Sequence, residues 1–266
     1  MAEKIKVVIA GAMGKMGLET VKAVLDDESL ELVGVVDIKD EGKKLSEISV
    51  IRNCDLVIKN TLSEVIEQQR PDVLIDFTNP QSVFANAKIA LQNDVNCVLG
   101  TTGLNDIEIE QLEKISTARG KGVAIIPNFA IGAVLMMKFA REAAKYFSDV
   151  EIIELHHNQK VDAPSGTAMK TAEMINEVRE PKAPRDLKEY EKIAGSRGGD
   201  DEGIRIHSVR LPGLVAHQEV IFGGAGQTLI IRHDTIDRSC FMPGVILAAK
   251  KISQVKGLVH GMEQLM

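Results

Sequence analysis

A short segment with two histidines and a lysine is the first candidate for chemistry. It reads ELHHNQKVDAPSGTA and contains His156, His157 and Lys160. Histidine titrates near neutral pH, and a lysine beside it can donate a proton or hold a carboxylate. An acid–base role is therefore one interpretation of the segment, and a solvated polar loop is the other.

The same segment runs into the start of a predicted helix. Ser165, Gly166 and Thr167 lie at that start, where the first N–H groups of a helix have no partner within it and bind anions. With cationic residues nearby, we expect a pocket for a small substrate that carries carboxylates. A metal is disfavoured, because successive strand residues such as His156 and His157 point to opposite sides of the backbone and no third ligand completes a site.

A glycine-rich turn near the N-terminus predicts a bound dinucleotide. Gly11, Gly14 and Gly17 follow the first predicted strand in VVIAGAMGKMG, a variant of the dinucleotide fingerprint. They would permit a tight turn, the approach of a pyrophosphate and close helix packing, respectively. Asp37 ends the second predicted strand, where an acid binds the adenosine ribose. A glycine turn that binds nothing is the alternative, but the order strand, glycines, helix and acid favours a dinucleotide.

The residues after Asp37 bear on the choice of cofactor. A carboxylate there repels a 2′-phosphate, and Ile38 is not a basic residue that could hold one. Lys39, Lys43 and Lys44 can offset the repulsion in part. We therefore expect NADH to be used, and the sequence leaves the use of NADPH open.

Three further loops follow predicted strands at the edge where parallel sheets bind ligands. They are Gly100-Thr101-Thr102-Gly103, Pro127-Asn128-Phe129 and, with weaker support, residues 76–80. Small residues and hydroxyls at such positions suit a nicotinamide carboxamide and its ribose. Ordinary turns are the alternative.

The elements that must position these loops alternate along the first 130 residues. Nearly continuous apolar runs predict parallel strands at 5–10, 32–36, 73–77, 96–99 and 122–126. Helices are predicted at 16–26, 61–69, 82–92 and 106–118, with capping pairs at Thr61/Glu64 and Asn105/Glu108. The pattern predicts an α/β fold with a Rossmann-like, doubly wound parallel sheet.

After about residue 130 the pattern changes to that of an α+β region. A helix is predicted at 131–146, a strand at 150–156, a helix from 166 and an exposed loop at 179–203. Three runs at 204–213, 214–224 and 227–235 predict antiparallel strands joined by LPG and GGAG turns. A last helix at 243–254 is apolar enough to pack back onto the first region. We therefore predict a dinucleotide-binding domain at 1–130 and 241–266, with residues 131–240 inserted as a domain carrying a mixed or antiparallel sheet.

Bulk composition narrows the class of protein. The formal net charge of −6 argues against a nucleic-acid surface, which is normally basic. Cys54, Cys97 and Cys240 are odd in number and far apart, which predicts free thiols. No run approaches the roughly 18 apolar residues of a membrane span, and the N-terminus lacks the apolar core of a signal peptide. We expect a cytoplasmic protein.

These motifs together resemble one known family over essentially the whole chain. The family is 4-hydroxy-tetrahydrodipicolinate reductase, also called dihydrodipicolinate reductase, of bacterial lysine and diaminopimelate synthesis. Its most specific motif here is ELHHNQKVDAPSGTA, supported by VVIAGAMGKMG, VLIDFT, LGTTG, PNFAIG and RLPGLVAHQEVIFGGAGQTLIIRHD. The resemblance implies an NAD(P)H-dependent reduction of 4-hydroxy-tetrahydrodipicolinate, via dihydrodipicolinate, to tetrahydrodipicolinate with loss of water.

The resemblance also implies roles for individual residues. His156 would be the proton donor and acceptor, Lys160 a proton donor, and the substrate's carboxylates would contact His157, Gly166 and Thr167. The cofactor would lie on Gly11, Ala12, Met13, Gly14, Lys15, Met16 and Asp37, with its nicotinamide half beside Gly100, Thr101, Thr102, Ile126, Pro127, Asn128 and Phe129. Family members are commonly homotetramers built through the second domain's sheet, so residues 131–240 would bind substrate and mediate oligomerisation.

Two other functions fit part of the sequence. An aspartate-semialdehyde type of dehydrogenase needs a thiol nucleophile near a base, yet Cys97 lies in an apolar strand and Cys240 is far from His156 in sequence. A non-catalytic NAD(H)-sensing protein would keep the glycine loop and Asp37 but would not need His156 with Lys160.

Overall fold

A computed structural model describes residues 3–48, 51, 54–180 and 190–266 of the chain. Its internal contacts divide the chain into two compact units. The first unit comprises Met1–Ala130 together with Phe241–Met266, and the second comprises Ile131–Cys240.

The first unit contains a seven-stranded sheet in which every neighbouring pair is parallel. Its strands are β1 (Ile5–Ala10), β2 (Leu30–Val36), β3 (Ile58–Lys59), β4 (Val73–Asp76), β5 (Asn96–Leu99), β6 (Gly122–Ile125) and β12 (Gly257–His260), in the order β12-β6-β5-β4-β1-β2-β3. The chain first winds from β1 toward β3 and later from β4 toward β12, so the winding reverses between β1 and β4. Ligands of such sheets bind at the carboxyl ends of the strands beside that reversal.

Helices cover the strands, which is why the central strands are buried at every position. They are α1 (Lys15–Asp26), α2 (Leu62–Gln69), α3 (Val83–Gln92), α4 (Asp106–Arg119) and α7 (Met242–Lys251). One core cluster joins α2, α3 and α4 to the sheet, while α1 and α7 contact each other. The predicted doubly wound parallel sheet is confirmed, and the last helix packs onto the first region as expected.

Two details of the first unit differ from the sequence prediction. The strands β3 and β12 were not predicted, because β3 has only two residues and β12 is a four-residue run that begins at a glycine. The cap predicted at Thr61 is wrong, since its hydroxyl donates to Asn60 instead of accepting from the helix. The cap at Asn105 is confirmed as a full capping box with Glu108.

The second unit contains a mixed five-stranded sheet, as predicted. Its strands are β7 (Asp149–His156), β8 (Gly199–Asp201), β9 (Ile204–Arg210), β10 (Ala216–Gly224) and β11 (Gln227–Thr235), in the order β11-β10-β7-β9-β8. The helices α5 (Ile131–Ala143) and α6 (Gly166–Asn176) belong to this unit. Along β7 the buried positions alternate, and they include Val150, Ile152 and Glu154.

The strand pairing of the second unit corrects two sequence predictions. The GGAG turn does join an antiparallel pair, β10 and β11. The LPG turn does not, because β7 lies between β9 and β10 and pairs parallel with β9 and antiparallel with β10. The predicted loop at 179–203 contains the short strand β8, which pairs with β9, and its residues 181–189 lie outside the described ranges. None of the helices in the described ranges has the length and apolar character that a bilayer crossing requires.

Candidate active site

The glycine loop follows β1 and is packed too tightly for side chains at two positions. Gly11 has a φ of +75°, and a Cβ there would lie 2.4 Å from the carbonyl oxygen of Phe77. A Cβ on Gly17 would lie 2.0 Å from the carbonyl oxygen of Gly11. These contacts pack the loop against its own helix and against the strand end after β4, beside the reversal of the sheet.

Asp37 is attached to this loop by its carboxylate. One oxygen accepts a hydrogen bond of 2.8 Å from the backbone N–H of Met13, and the other accepts one of 2.9 Å from the backbone N–H of Lys39. A carboxylate has about four acceptor positions, so these two bonds leave capacity for a ribose diol. The side chain of Ile38 is 90% exposed and offers no charge beside it.

Two of the three lysines near Asp37 are paired with other carboxylates. The ammonium of Lys43 lies 2.7 Å from Asp40, and that of Lys44 lies 4.0 Å from Asp55. The hydrogen bond between Lys43 and Asp40 raises the pKa of Lys43 and lowers that of Asp40. The positive charges that could offset repulsion of a 2′-phosphate are thus partly neutralised.

The start of α1 is suited to an anion. Gly14 is its N-cap and provides no capping side chain, and the first turn contains no acidic residue. The backbone N–H groups of Lys15 and Met16 therefore open the helix without a carboxylate to neutralise its dipole. Ala12 and Met13 are buried in the turn before it. The loop, the helix start and Asp37 together fit a dinucleotide.

A buried carboxylate, Asp76, joins the loops after β4 and β5; it is the first residue of the predicted loop at 76–80, although the sequence analysis gave it no role of its own. Asp76 accepts hydrogen bonds from the N–H and hydroxyl of Thr78, from the hydroxyl of Thr101 at 3.0 Å and from the amide of Asn86 at 2.9 Å. An acid at the end of an apolar strand, followed by a threonine, was the available signal. Because Asp76 is completely buried, it fixes the position of both loops.

Two further residues predicted beside the nicotinamide, Gly100 and Phe129, lie against Phe77. Its ring and that of Phe129 have centroids 5.5 Å apart, and a Cβ on Gly100 would lie 2.1 Å from the Phe77 ring. The remaining predicted positions differ in burial: Ile126 is buried, Thr102 and Pro127 are exposed, and Asn128 accepts a hydrogen bond from the N–H of Ala130. The first unit therefore brings the predicted strand-end loops together around one aromatic side chain.

In the second unit, His156 ends β7 and is bound by a glutamate that the sequence reasoning missed. Its Nδ1 lies 2.5 Å from Oε2 of Glu154, two residues earlier on the same face of the strand. The side chain of Glu154 is 0% exposed and that of His156 is 14% exposed. The signal in the sequence was an acidic residue at a buried position of an alternating strand, which needs partners to be tolerated.

Arg210 and the start of α6 supply those partners. The Nη1 and Nη2 of Arg210 donate to the two oxygens of Glu154 at 2.8 and 2.7 Å. The backbone N–H of Ser165 also donates to Glu154, at 3.2 Å. Arg210 reaches this position because β9 pairs parallel with β7, which places it opposite His156.

Lys160 joins the same network through Asp162. Its ammonium lies 2.7 and 2.8 Å from the two carboxylate oxygens of Asp162, whose backbone carbonyl accepts a hydrogen bond from Arg210 at 2.8 Å. The backbone N–H of Lys160 also donates to the carbonyl of His157, which is exposed just beyond the strand. The structure thus connects the two predicted catalytic residues, His156 and Lys160.

The charges of this network set the protonation states. Burial lowers the pKa of His156, the charges of Lys160 and Arg210 lower it further, and the hydrogen bond to Glu154 opposes them. Burial by itself raises the pKa of Glu154, but hydrogen bonds from Arg210, Ser208 and His156 outweigh it and leave that pKa lowered. At neutral pH the network therefore contains an ionised Glu154 and a neutral His156.

The start of α6 lies beside this network and faces open space. Ser165 is the N-cap, and its hydroxyl accepts a hydrogen bond from the N–H of Ala168. Gly166 and Thr167 are the first helical residues, and a Cβ added at Gly166 would meet no atom within 4 Å. A helix start with room beside it and cationic residues nearby is suited to a carboxylate.

The structure gives no support to a thiol nucleophile. Burial raises the pKa of the Cys97 thiol strongly, with a further contribution from Asp76, and burial raises that of Cys240 as well. Neither thiol is thus a thiolate at neutral pH. Within the described ranges, no group of three or more histidine, cysteine, aspartate or glutamate side chains is arranged to hold a metal ion.

Comparisons with known proteins cover both units. A family model described as dihydrodipicolinate reductase, N-terminus, matches residues 5–129, and one described as dihydrodipicolinate reductase, C-terminus, matches residues 132–266. The chain is 64% identical over 266 residues to 4-hydroxy-tetrahydrodipicolinate reductase of Syntrophomonas wolfei, covering 100% of both proteins. It is 54% identical over 262 residues to that of Desulfitobacterium hafniense, covering 98% of each. A solved structure of dipicolinate-bound dihydrodipicolinate reductase from Paenisporosarcina sp. TG-14 matches with a TM-score of 0.90 and 47% identity, over 99% of this chain and 100% of that one.

Proposed function

The chain belongs to the dihydrodipicolinate reductase family, and from that membership we propose how its residues carry out the reaction. It is an NAD(P)H-dependent oxidoreductase that reduces 4-hydroxy-tetrahydrodipicolinate to tetrahydrodipicolinate with loss of water, in the diaminopimelate route to lysine. The named relatives favour this catalytic function over an NAD(H)-sensing protein without turnover.

The first unit would hold the cofactor, which supplies a hydride when bound. The pyrophosphate would lie at the start of α1, and the carboxylate of Asp37 would accept hydrogen bonds from the adenosine ribose. The nicotinamide half would lie beside the loops that Asp76 and Phe77 organise. The full set is Gly11, Ala12, Met13, Gly14, Lys15, Met16, Asp37, Gly100, Thr101, Thr102, Ile126, Pro127, Asn128 and Phe129. With Ile38 uncharged and Lys43 paired to Asp40, we propose that NADH is used.

The second unit would hold the substrate and move the proton. The N–H groups of Gly166 and Thr167, together with His157, would bind the substrate's carboxylates. Reduction of a conjugated imine leaves negative charge on the ring, which the Lys160 ammonium would stabilise, together with His156 once its Nε2 has taken up a proton from solvent, before one of the two returns a proton. The observation that carries this proposal is the hydrogen-bonded network that links His156, Lys160 and the start of α6 through Glu154 and Arg210.

Substitution of Lys160 tests the assignment. Oxidation of NADH would be followed by absorbance, with substrate generated in the cuvette from pyruvate and aspartate semialdehyde by a synthase. We expect Lys160→Ala to lower kcat roughly 100-fold or more, as loss of a positioned proton donor does, while NADH still binds. Lys145→Ala is the matched control, since Lys145 is a half-exposed lysine of the same unit whose ammonium pairs with Glu142. Unchanged turnover in Lys160→Ala would contradict the assignment.

We further propose that the protein assembles as a homotetramer through the sheet of the second unit. The strand β11 lies at the edge of that sheet, and its apolar residues Leu229 and Ile230 are exposed. Exposed apolar side chains on an edge strand are suited to a contact between subunits. Light scattering measures the assembly, and a monomer at micromolar concentration would contradict it.

The three free cysteines support a cytoplasmic location, where thiols stay reduced.

A further inference from the structure

We infer that Glu154 is a positioning residue for His156: its carboxylate holds the Nδ1–H of the imidazole, so that Nε2 is the atom that exchanges a proton with the substrate. The inference rests on the role proposed above for His156. It assigns a function to a buried charge that the reaction scheme leaves unexplained.

The geometry of β7 is the first support. Glu154 and His156 are two residues apart on the same face of the strand, and Nδ1 lies 2.5 Å from Oε2. An ionised carboxylate only accepts hydrogen bonds, so the imidazole must donate through Nδ1. The neutral ring then presents the lone pair of Nε2 to its surroundings.

The environment of Glu154 is the second support, because it keeps the carboxylate ionised although it is buried. Arg210 donates to both oxygens, and the N–H of Ser165 donates to one of them. The Nε of Arg210 is buried with no partner among the described residues. A buried N–H without a partner is costly, and Arg210 is nevertheless held so that it donates to both oxygens of Glu154, with its other two hydrogen bonds going to the backbone carbonyls of Val209 and Asp162.

The balance of charge around His156 is the third support. The charged groups that face it are Glu154 on its own strand, Arg210 on β9, and Lys160 with Asp162 in the following loop. The residue paired with it on the neighbouring strand β10 is Ala216, which is uncharged. Arg210 offsets the charge of Glu154, so the carboxylate orients the imidazole without turning it into a permanent cation. Burial is the main cause of the lowered pKa of His156, and the charges of Lys160 and Arg210 add to it.

The test is Glu154→Gln in the full-length enzyme, with kcat measured against pH. We expect kcat to fall roughly 10- to 100-fold, within the contribution of general acid–base catalysis, and the affinity for NADH to stay unchanged. Because the bond to Glu154 raises the pKa of His156, the limb of the pH profile that reports His156 should move to lower pH. Glu154→Asp keeps the negative charge on a shorter side chain, so its kcat should lie between that of the wild type and that of the glutamine variant.

A double variant separates positioning from a structural effect. In His156→Ala, the further change Glu154→Gln should cost no additional turnover, since residues that act as one unit are not additive. Glu151→Gln is the control, because Glu151 is on the same strand and also binds an arginine and a histidine, but on the other face. It should retain the wild-type kcat and pH profile.

Three outcomes would overturn the inference. The first is that Glu154→Gln keeps the wild-type kcat and the wild-type pH profile. The second is that Glu154→Gln lowers kcat as much in the His156→Ala variant as it does in the wild type. If the Glu154→Gln variant does not fold, the NMR chemical shifts of the imidazole nitrogens in the wild-type enzyme show which nitrogen of His156 carries the proton. The third outcome is a proton on Nε2 of the neutral ring at neutral pH. Full turnover in His156→Ala would instead refute the proposed role of His156 itself, so the two failures are distinguishable.

Discussion

Two trios of glutamate, arginine and histidine lie on opposite faces of the strand β7, and their burial differs. The buried trio is Glu154, Arg210 and His156, and the surface trio is Glu151, Arg197 and His207. In the surface trio, Glu151 accepts from Arg197 at 2.6 Å and lies 2.8 Å from Nε2 of His207. These distances are close to the corresponding ones in the buried trio.

The difference is in exposure rather than in bonding. The side chain of Glu154 is completely buried, whereas that of Glu151 is 37% exposed. Water screens the surface trio, so its ion pair contributes little to stability. In the buried trio each charge depends on its partners, because an unpaired charge there has no solvent to replace them. The same three residue types thus form a buried hydrogen-bonded network or a solvated surface cluster, depending on which face of the strand they occupy.

The largest expected difference between the trios is in turnover. His156→Asn should lower kcat roughly 10²- to 10⁴-fold, the range that general acid–base groups contribute. His207→Asn should leave kcat unchanged, since His207 belongs to the trio on the other face. Steady-state assays with saturating NADH measure both. A similar loss in the two variants would mean that orientation on β7 does not select the catalytic histidine.

The second difference is in stability when the arginine is removed. Arg210→Met leaves the charge of Glu154 buried without its main partner, and should lower the free energy of unfolding by roughly 3–5 kcal/mol. Arg197→Met should lower it by only about 0–1 kcal/mol, because water takes over the pairing of Glu151. Denaturant unfolding followed by circular dichroism gives both values. Equal losses would show that the buried trio is solvated in the folded protein.

The pH dependence of stability sharpens the comparison further. The folded pKa of Glu154 is lowered below its ordinary value of 4.5, so its stabilising effect is present above pH 4.5 and is lost as the pH falls through the lowered pKa. The pKa of Glu151 is also lowered, by Arg197 and His207 against burial, which gives the same sign. Between pH 5 and 3, Glu154→Gln should remove more of the acid sensitivity of the unfolding midpoint than Glu151→Gln does. The opposite ranking would contradict the comparison.

The sequence predicted the first unit better than the buried trio, and the reason is the range of the interactions. Buried parallel strands are apolar at every position, so each strand can be recognised from its own consecutive residues. The glycine loop can also be recognised from a short stretch of consecutive residues. Arg210, in contrast, meets Glu154 across 56 residues of chain, and only after β9 pairs with β7. The sequence interpretation paired β9 with β10 through the LPG turn, which left Arg210 without a reason to be near His156.

Capping shows the same limit on a smaller scale. Thr61/Glu64 and Asn105/Glu108 have the same spacing, yet only the second forms a capping box. The hydroxyl of Thr61 finds a nearer acceptor in its neighbour, Asn60, at 2.7 Å. A pattern predicts which bonds are possible, and competition between local partners decides which one forms.

The smallest expected effect separates the two bonds that Ser165 makes near the buried trio. Its hydroxyl caps α6 by accepting from Ala168, whereas its backbone N–H donates to Glu154. Ser165→Ala removes only the first, and should lower the free energy of unfolding by about 1 kcal/mol, the usual cost of a lost N-cap. The pH profile of kcat should stay in place, because the backbone N–H still holds Glu154 beside His156. Denaturant unfolding and the pH profile of the one variant measure both, and a shifted profile would mean that the cap itself orients the histidine.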